Sequence, residues 1–159
     1  LPPSLRQRIF PVRGQMLLYR PSEPFPGSVL LSPGGYLIPR ADGLLLAGST
    51  VETGIEDSIP TAQAFAQLRA MAEQLWPALR GVTPLAQWAG IRPGSTHSLP
   101  LIGEVPGSHG LVWINSGHFR NGLVCAPASA ALIADLLCGV MPDIDPAPYS
   151  VSGSSSSPP

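Results

Sequence analysis

The segment Tyr36-Leu37-Ile38-Pro39-Arg40-Ala41-Asp42-Gly43-Leu44-Leu45-Leu46-Ala47-Gly48 is typical of a β-hairpin. Two apolar runs flank Asp42-Gly43, and a glycine at this place supplies the positive φ angle that a tight hairpin turn requires. Pro39 cannot donate a backbone hydrogen bond, so the first strand lies at a sheet edge or is interrupted there. The segment therefore predicts a pair of antiparallel strands.

Periodicity on either side of this hairpin alternates between strands and two helices. Thr61 caps a predicted helix with one apolar stripe, in which residues recur at steps of three and four: Phe65, Leu68, Met71, Ala72, Leu75 and Leu79. Pro77 interrupts the last turn of this predicted helix, and Gly81 is its end signal. A second helix, Leu123–Leu137, is apolar all round, which predicts full burial. The other predicted strands are Val12–Tyr19, Val29–Leu31, Leu85–Ile91 and Leu111–Asn115. The pattern indicates an α+β fold with a mixed or antiparallel sheet and two main helices.

The two ends of the chain differ from the part between them. Leu1–Pro11 has no helical or strand period, and the run from Pro142 to Pro159 is rich in proline and serine. We interpret both ends as edges of a larger protein, and we expect the polar tail to be flexible because it has too little apolar surface to pack.

Composition argues against several classes of function. The 159 residues include nine arginines, no lysine and ten acidic residues, and the net charge is −1, so a clustered basic face for nucleic acid is not expected. No run approaches the roughly 18 apolar residues of a membrane span. Cys125 and Cys138 lie near no histidine pair and are interpreted as packing thiols of a reducing, cytoplasmic compartment. Charged residues make up only 12%, which is typical of a chain that packs against another surface.

Arg92 is the first candidate binding residue. It follows the apolar strand Leu85–Ile91 and precedes Pro93-Gly94, which are expected to turn the chain sharply. A guanidinium held at a strand end is well suited to bind a carboxylate through two parallel hydrogen bonds. The alternative is an ordinary surface arginine at the start of a loop.

The segment Ser116–Gly122 is the second candidate. Its two glycines allow backbone amides to approach a ligand, and the predicted helix behind them presents free N–H groups and partial positive charge to an anion. The alternative is a plain strand-to-helix turn. His118 could act as a general base, but a single histidine in a turn is more often structural, and no catalytic triad can be assembled from the three histidines.

Tyr36 is the third candidate, because its hydroxyl could point into a cleft; a half-buried sheet tyrosine is the alternative. Without a family resemblance, these patterns lead to an anion-binding α+β domain and no further.

Seven segments, taken in order, resemble the FAD-dependent D-amino-acid oxidase superfamily, and most closely its glycine oxidase branch, which serves thiamine biosynthesis. The segments that carry the resemblance are Pro11–Met16, Tyr36–Arg40, Leu46–Thr50, Trp88–Gly94, Leu99–Gly103, Gly117–Leu123 and Ala126–Ala128. The block His118-Phe119-Arg120-Asn121-Gly122 favours the glycine oxidase branch over its relatives.

The resemblance implies a division of the chain. Residues 1–87 would form a substrate-binding domain, with its start partly a linker. Residues 88–140 would return a strand and the last helix to a Rossmann-type FAD-binding domain, and residues 141–159 would be a flexible tail. Because the chain contains no strand–Gly-x-Gly-x-x-Gly–helix motif, most of the FAD site would lie upstream, and the chain would be a C-terminal fragment, inactive alone. Its uncovered apolar helix would favour self-association.

The resemblance also implies roles for individual residues. Arg92 would bind the substrate carboxylate, Tyr36 would add a hydrogen bond to it, and Arg120 would lie beside substrate and flavin. The residues that would face the flavin are Gly117, His118, Phe119, Arg120, Asn121, Gly122 and Leu123. No metal is implied.

The implied chemistry is hydride transfer from the α-carbon of the amino acid to flavin N5, after which the imine hydrolyses to glyoxylate or an oxo acid and O₂ is reduced to peroxide. Two departures put the preferred substrate in question, since Leu31 and Val51 replace an active-site tyrosine and a methionine of the family. A D-amino-acid dehydrogenase, a sarcosine-oxidase-like enzyme and a non-catalytic binding module stay open as alternatives.

Overall fold

A computed structural model of the chain describes residues 3–152. Its backbone divides into two compact units. We call Val12–Ile91 the sheet unit, and the described residues of 1–11 and 92–159 the helix unit. These units reflect backbone proximity alone, so the division of the chain into substrate and FAD domains stays a prediction.

The described residues form eight strands, three α-helices and two short 3₁₀ helices. The strands are Ile9–Tyr19 (β1), Leu30–Ser32 (β2), Gly35–Pro39 (β3), Leu45–Gly48 (β4), Glu52–Thr53 (β5), Ala86–Ser95 (β6), Leu101–Glu104 (β7) and Trp113–Ser116 (β8). The α-helices are Pro3–Arg6 (α1), Ala62–Leu75 (α2) and Gly122–Cys138 (α3), and the 3₁₀ helices are Pro77–Leu79 and Ala147–Tyr149. None of these helices is long and apolar enough to cross a bilayer.

The predicted hairpin is present as β3 and β4. The strands pair antiparallel with Leu37 opposite Ala47, and Pro39 is the last residue of β3. Gly43 has a φ of +76°, and its N–H donates to the Arg40 carbonyl oxygen at 3.1 Å, which closes the turn. The sheet order is β2-β3-β4-β1-β5, with β6 also paired to β1. An α+β fold with antiparallel strands is therefore confirmed.

The core of the sheet unit lies between this sheet and α2. Leu17, Leu37 and Ala47 are fully buried on one face, and Leu68 and Ala72 of α2 pack against them. The predicted apolar stripe of the helix is thus confirmed. The predicted continuation to Leu79 is wrong: the α-helix ends at Leu75, and Pro77–Leu79 form a separate 3₁₀ helix, because Pro77 lacks the N–H that would continue α2.

A group of polar side chains, here called the Gln15–Glu52 network, joins four parts of the sheet unit. Gln15 is fully buried on β1; its Nε2 donates to Glu52 Oε1 at 2.8 Å, and its Oε1 accepts from the Thr61 backbone N–H at 2.8 Å. Gln87 of β6 donates from its Nε2 to Gln15 Oε1 at 3.1 Å. The remaining members are Arg13, Thr50 and Asp57. The buried amide is therefore satisfied on both its oxygen and its nitrogen.

The helix unit has a smaller core that includes one residue from each end region of the chain. Leu5 of α1 and Val151 are buried together with Leu101 and Val105, and Arg8 donates to the Val151 carbonyl oxygen at 2.5 Å. Residues 3–11 thus include α1 and the start of β1, and Val151 is buried although none of residues 142–150 is. Leu5, Val151 and the Arg8 side chain hold these stretches together, and no sequence periodicity indicates this. Residues 153–159 of the predicted flexible tail lie outside the described residues.

The prediction that the last helix is fully buried is wrong for this structure. Within α3 only Ser129 and Leu132 are buried, whereas Leu123 and Val124 are 91% and 83% exposed. Cys138 is exposed and Cys125 half-buried, so the interpretation of both as packing thiols also fails for Cys138. The physical reason is that α3 packs along one side on β7 and β8, which can cover only one stripe of a helix.

Thr61 provides the first test of this fold. Its Oγ1 caps α2 by accepting from the Ala64 N–H at 3.2 Å, and it also accepts from Gln15 at 3.1 Å. We expect Thr61→Ala to lower the free energy of unfolding by about 0.5–2 kcal/mol, the usual cost of a lost cap. Urea unfolding measures this, with Thr61→Ser as the matched control that keeps the hydroxyl. Equal losses in both variants would show that the cap contributes nothing.

Glu52 provides the second test. Burial raises the pKa of this carboxyl, but hydrogen bonds from Thr50, Arg13 and Gln15 outweigh it, and the net pKa is lowered from 4.5. Ionised Glu52 therefore stabilises the folded state above about pH 4.5, and this contribution is lost as pH falls through the lowered pKa.

We expect Glu52→Gln to be less stable than wild type at pH 7 and to lose less further stability below about pH 4.5. Thermal unfolding at a series of pH values measures both effects. Glu56→Gln removes an exposed carboxylate outside the network and is the control. If Glu52→Gln and wild type lose stability in parallel, the role of the charge is disproved.

Candidate functional site

Arg92 lies within β6 and is half-buried. The expected sharp turn at Pro93-Gly94 is wrong, because β6 continues to Ser95. The extended backbone persists because its polar groups find partners: the Pro93 carbonyl oxygen accepts from the Phe119 N–H at 2.8 Å, and the Thr96 N–H donates to the Arg8 carbonyl oxygen at 3.1 Å.

The Phe119–Pro93 hydrogen bond joins two of the three candidates predicted from sequence. Arg92 precedes Pro93, and Arg120 follows Phe119, so one backbone bond brings the strand that carries Arg92 against the turn that carries Arg120. Arg120 is exposed, and its side chain makes no hydrogen bond or ion pair within residues 3–152. The helix unit thus holds two guanidinium groups on adjacent segments, an arrangement suited to a small anion.

Gly117 makes this close approach possible. It is buried with a φ of +90°, and a Cβ atom there would lie 3.1 Å from Ser95 Cβ and 3.5 Å from Pro100 Cα. Any side chain would push the turn away from β6. Phe119 has a φ of +51°, which is unusual for a bulky residue, and such backbone conformations are concentrated at functional sites.

The N-terminus of α3 is not capped by a side chain. Asn121 is the cap residue but makes no side-chain hydrogen bond to the helix, and the first intrahelical bond is from the Cys125 N–H to its carbonyl oxygen at 2.9 Å. The amides of the first turn consequently have no partner within the helix and carry its partial positive charge. Exposed Leu123 and Val124 lie beside them, so the helix end offers donors next to an apolar surface.

His118 is held by the helix. Its Nε2 shares a hydrogen bond with Ser129 Oγ at 2.8 Å, and Asn115 Nδ2 donates to the Ser129 carbonyl oxygen at 3.3 Å. Burial lowers the pKa of His118 from its ordinary value, which favours the neutral form of the ring. These contacts favour the structural interpretation of His118 over a general base. Together with Asn121, Cys125 and Ser129, it lines a cavity of about 200 Å³ on the inner side of α3.

Tyr36 belongs to the sheet unit, on β3, where it is half-buried. Its cross-strand neighbour on β2 is Leu31, which is 78% exposed, so the structure brings together two positions at which the resemblance places substrate contacts. Val51, the other departure from the family, is 51% exposed between β4 and β5.

Two features of the site were not predicted from the sequence. Val124 is exposed beside Leu123, and an apolar residue in the first turn of a helix is a signal that could have indicated it. The left-handed backbone of Phe119 has no such signal, because it follows from the bond to Pro93, a residue 26 positions away in the sequence.

Known proteins resemble this chain over most of its length. Residues 1–136 match the family DAO, described as FAD dependent oxidoreductase. The chain is 54% identical over 150 residues to glycine oxidase of Pseudomonas putida, covering 94% of this chain and 41% of that protein. It is 39% identical over 134 residues to the bifunctional protein ThiO/ThiG of Synechocystis, covering 81% of this chain and 20% of that protein.

The fold of the chain is also similar to that of a solved structure. The crystal structure of glycine oxidase from Geobacillus kaustophilus superposes with a TM-score of 0.84 at 31% identity, covering 91% of this chain and 39% of that one. The chain thus spans about two fifths of the length of the glycine oxidases from Pseudomonas putida and Geobacillus kaustophilus. The fold predicted from the resemblance is confirmed. On the match over residues 1–136, the chain belongs to the DAO family of FAD-dependent oxidoreductases.

Proposed function

We propose that this chain forms the C-terminal part of an FAD-dependent amine oxidase that acts on glycine or a related small amino acid. The observation that carries the proposal is the Phe119–Pro93 hydrogen bond, which holds Arg92 and the Gly117–Leu123 turn on adjacent segments. The identity of 54% to a glycine oxidase supports the same reaction class. In this proposal residues 1–87 belong to the substrate domain and residues 88–140 to the FAD domain.

The turn Gly117–Leu123 fits a flavin. An isoalloxazine ring is flat and largely apolar with a polar pyrimidine edge, and the α3 N-terminus presents uncapped amides beside the exposed side chains of Leu123 and Val124. When bound, FAD supplies the acceptor for the hydride that leaves the α-carbon of the amino acid. The positive end of α3 would stabilise negative charge that develops nearby.

The chain itself contributes binding and orientation. Arg92 would hold the substrate carboxylate through a two-pronged hydrogen bond, and exposed Arg120 would add a second positive charge. On the basis of the family resemblance, we also propose that the Tyr36 hydroxyl forms a hydrogen bond with the substrate carboxylate. His118, whose ring is hydrogen-bonded to Ser129, is assigned no proton transfer. The proposed reaction accordingly uses no side-chain base.

The finer points of the proposal come from the family resemblance. The imine product would hydrolyse to glyoxylate or another oxo acid and ammonia, and the two electrons and two protons removed from the amino acid would reduce O₂ to H₂O₂. The reaction would serve thiamine thiazole synthesis. We place the enzyme in the cytoplasm, and self-association through the exposed side of α3 stays a prediction.

Peroxide release by the intact protein that contains this chain, supplied with FAD, tests the function. We expect peroxide with glycine and related small amino acids from a panel that also includes sarcosine and D-amino acids. Reduction of an artificial electron acceptor without peroxide would indicate the dehydrogenase alternative. Preference for sarcosine would indicate the sarcosine-oxidase-like alternative. No turnover in either assay would favour the alternative that the chain is a non-catalytic binding module.

Substitution of Arg92 tests the proposed binding of the substrate carboxylate. A hydrogen bond to a charged group contributes about 1.5–3 kcal/mol, so we expect Arg92→Ala to raise KM for the amino acid by about 10- to 100-fold. Arg92→Lys should recover only part of this, because a lysine cannot form the two-pronged bond. Arg80→Ala, which removes an exposed arginine of the sheet unit, is the control. An unchanged KM in Arg92→Ala would remove this residue from the site.

A further inference from the structure

One row of residues crosses the sheet on the face opposite to α2. Leu31 pairs with Tyr36, Tyr36 with Gly48, and Gly48 with Met16, across β2, β3, β4 and β1. Directly opposed residues of antiparallel strands project to the same face. The next row, Leu30, Leu37, Ala47 and Leu17, projects to the other face, where it packs into the core beside α2.

Gly48 is the gap in this row. A Cβ atom at Gly48 would lie 3.2 Å from Tyr36 Cε2, 3.2 Å from Met16 Cγ and 3.0 Å from Met16 Cε. The ring of Tyr36 and the end of Met16 therefore converge over the bare backbone of Gly48 from opposite sides. An aromatic ring that covers a glycine on a neighbouring strand is a known way of ordering both residues.

We propose that Gly48 is a positioning residue for Tyr36 and that, through the ring, it sets how the substrate's carboxyl end is held. This inference rests on the proposed function, in which Tyr36 contacts the substrate. Because Gly48 has no side chain, the Tyr36 ring can lie directly over its backbone. This contact fixes the tilt of the ring and therefore the position of the hydroxyl. Met16 supports the ring from the far side, and exposed Leu31 borders it on β2.

The substitution Gly48→Ala separates this role from ordinary stability. The added methyl group is closer to the Tyr36 ring than real Cβ contacts normally are, so the ring must move by a few tenths of an ångström or more. Gly27→Ala is the matched control, because it makes the same chemical change in the same unit where nothing lies within 4 Å.

The position of the ring is measured directly by ¹⁹F NMR of the intact protein labelled with 3-fluorotyrosine. The Tyr36 signal is assigned by its loss in Tyr36→Phe. We expect it to move in Gly48→Ala and to stay in place in Gly27→Ala. If Gly48→Ala fails to fold, Met16→Ala removes the support from the other side and should move the same signal. A Tyr36 signal that stays unmoved in the variant tested would overturn the proposal.

Kinetics then test the consequence for the substrate. We expect Gly48→Ala to raise KM for the amino acid about 10-fold with a smaller change in kcat, the size expected for one misplaced hydrogen bond to a carboxylate. In a Tyr36→Phe background the same substitution should change KM less than about twofold, because the hydroxyl is already gone. Equal effects in both backgrounds would show that Gly48 does not act through Tyr36.

The outcomes also separate this proposal from the function on which it rests. If wild type shows no turnover, or if Tyr36→Phe leaves KM unchanged, the proposed function of the protein or of Tyr36 fails, and the role of Gly48 toward the substrate fails with it. If both of those hold and only the fluorine signal stays in place, the proposed function stands and Gly48 alone is rejected.

Discussion

The sheet unit depends on the burial of one amide side chain, that of Gln15. A buried amide without partners would cost several kcal/mol, so the chain must bring donors and acceptors to it from distant positions. Glu52, the Thr61 backbone and Gln87 supply them, and they lie on β5, at the start of α2 and on β6. Satisfying Gln15 therefore sets the entry point of α2 and the position of β5 at the same time.

Glu52 extends this constraint to the segment between β5 and α2. Its carboxylate accepts from Thr50 at 2.6 Å and from Arg13 at 2.7 Å, and Arg13 in turn donates to Asp57 at 2.6 Å. The residues on both sides of Val51 are thus hydrogen-bonded, while Val51 itself is exposed. The network holds an apolar side chain outward at a position where the family resemblance places a contact near the flavin.

The helix unit is organised by backbone contacts rather than by polar side chains. Extended backbone at Pro93 and left-handed backbone at Phe119 together allow one hydrogen bond to connect β6 with the turn before α3. The same unit leaves most of α3 uncovered within residues 3–152, and its apolar residues lie on several sides of the helix. Only 12% of the residues in the chain are charged, and the chain is about two fifths as long as the glycine oxidases it matches. This composition suits a helix that packs on more than one surface.

Local sequence determined the hairpin, the start of α2 and the interruption of its helix at Pro77, and it pointed to the candidate residues Arg92, Tyr36 and the Gly117–Leu123 turn. Each of these depends on neighbours a few positions apart: Asp42-Gly43 for the turn, Thr61 for the cap and Pro77 for the helix end. Such signals are readable because turn and cap geometry is decided by the residues that form it. Local sequence missed α1, β5 and β7.

Only the tertiary structure decided what depends on distant partners. The continuation of β6 through Pro93-Gly94 required Phe119. The small core of the helix unit required Leu5 and Val151, and the exposure of α3 followed from having β7 and β8 along one side. The gap at Gly48 became visible only once the strand register placed Tyr36 and Met16 over it. The physical reason is common to all four: periodicity records which side chains are apolar, whereas burial and close approach depend on which segments fold against one another.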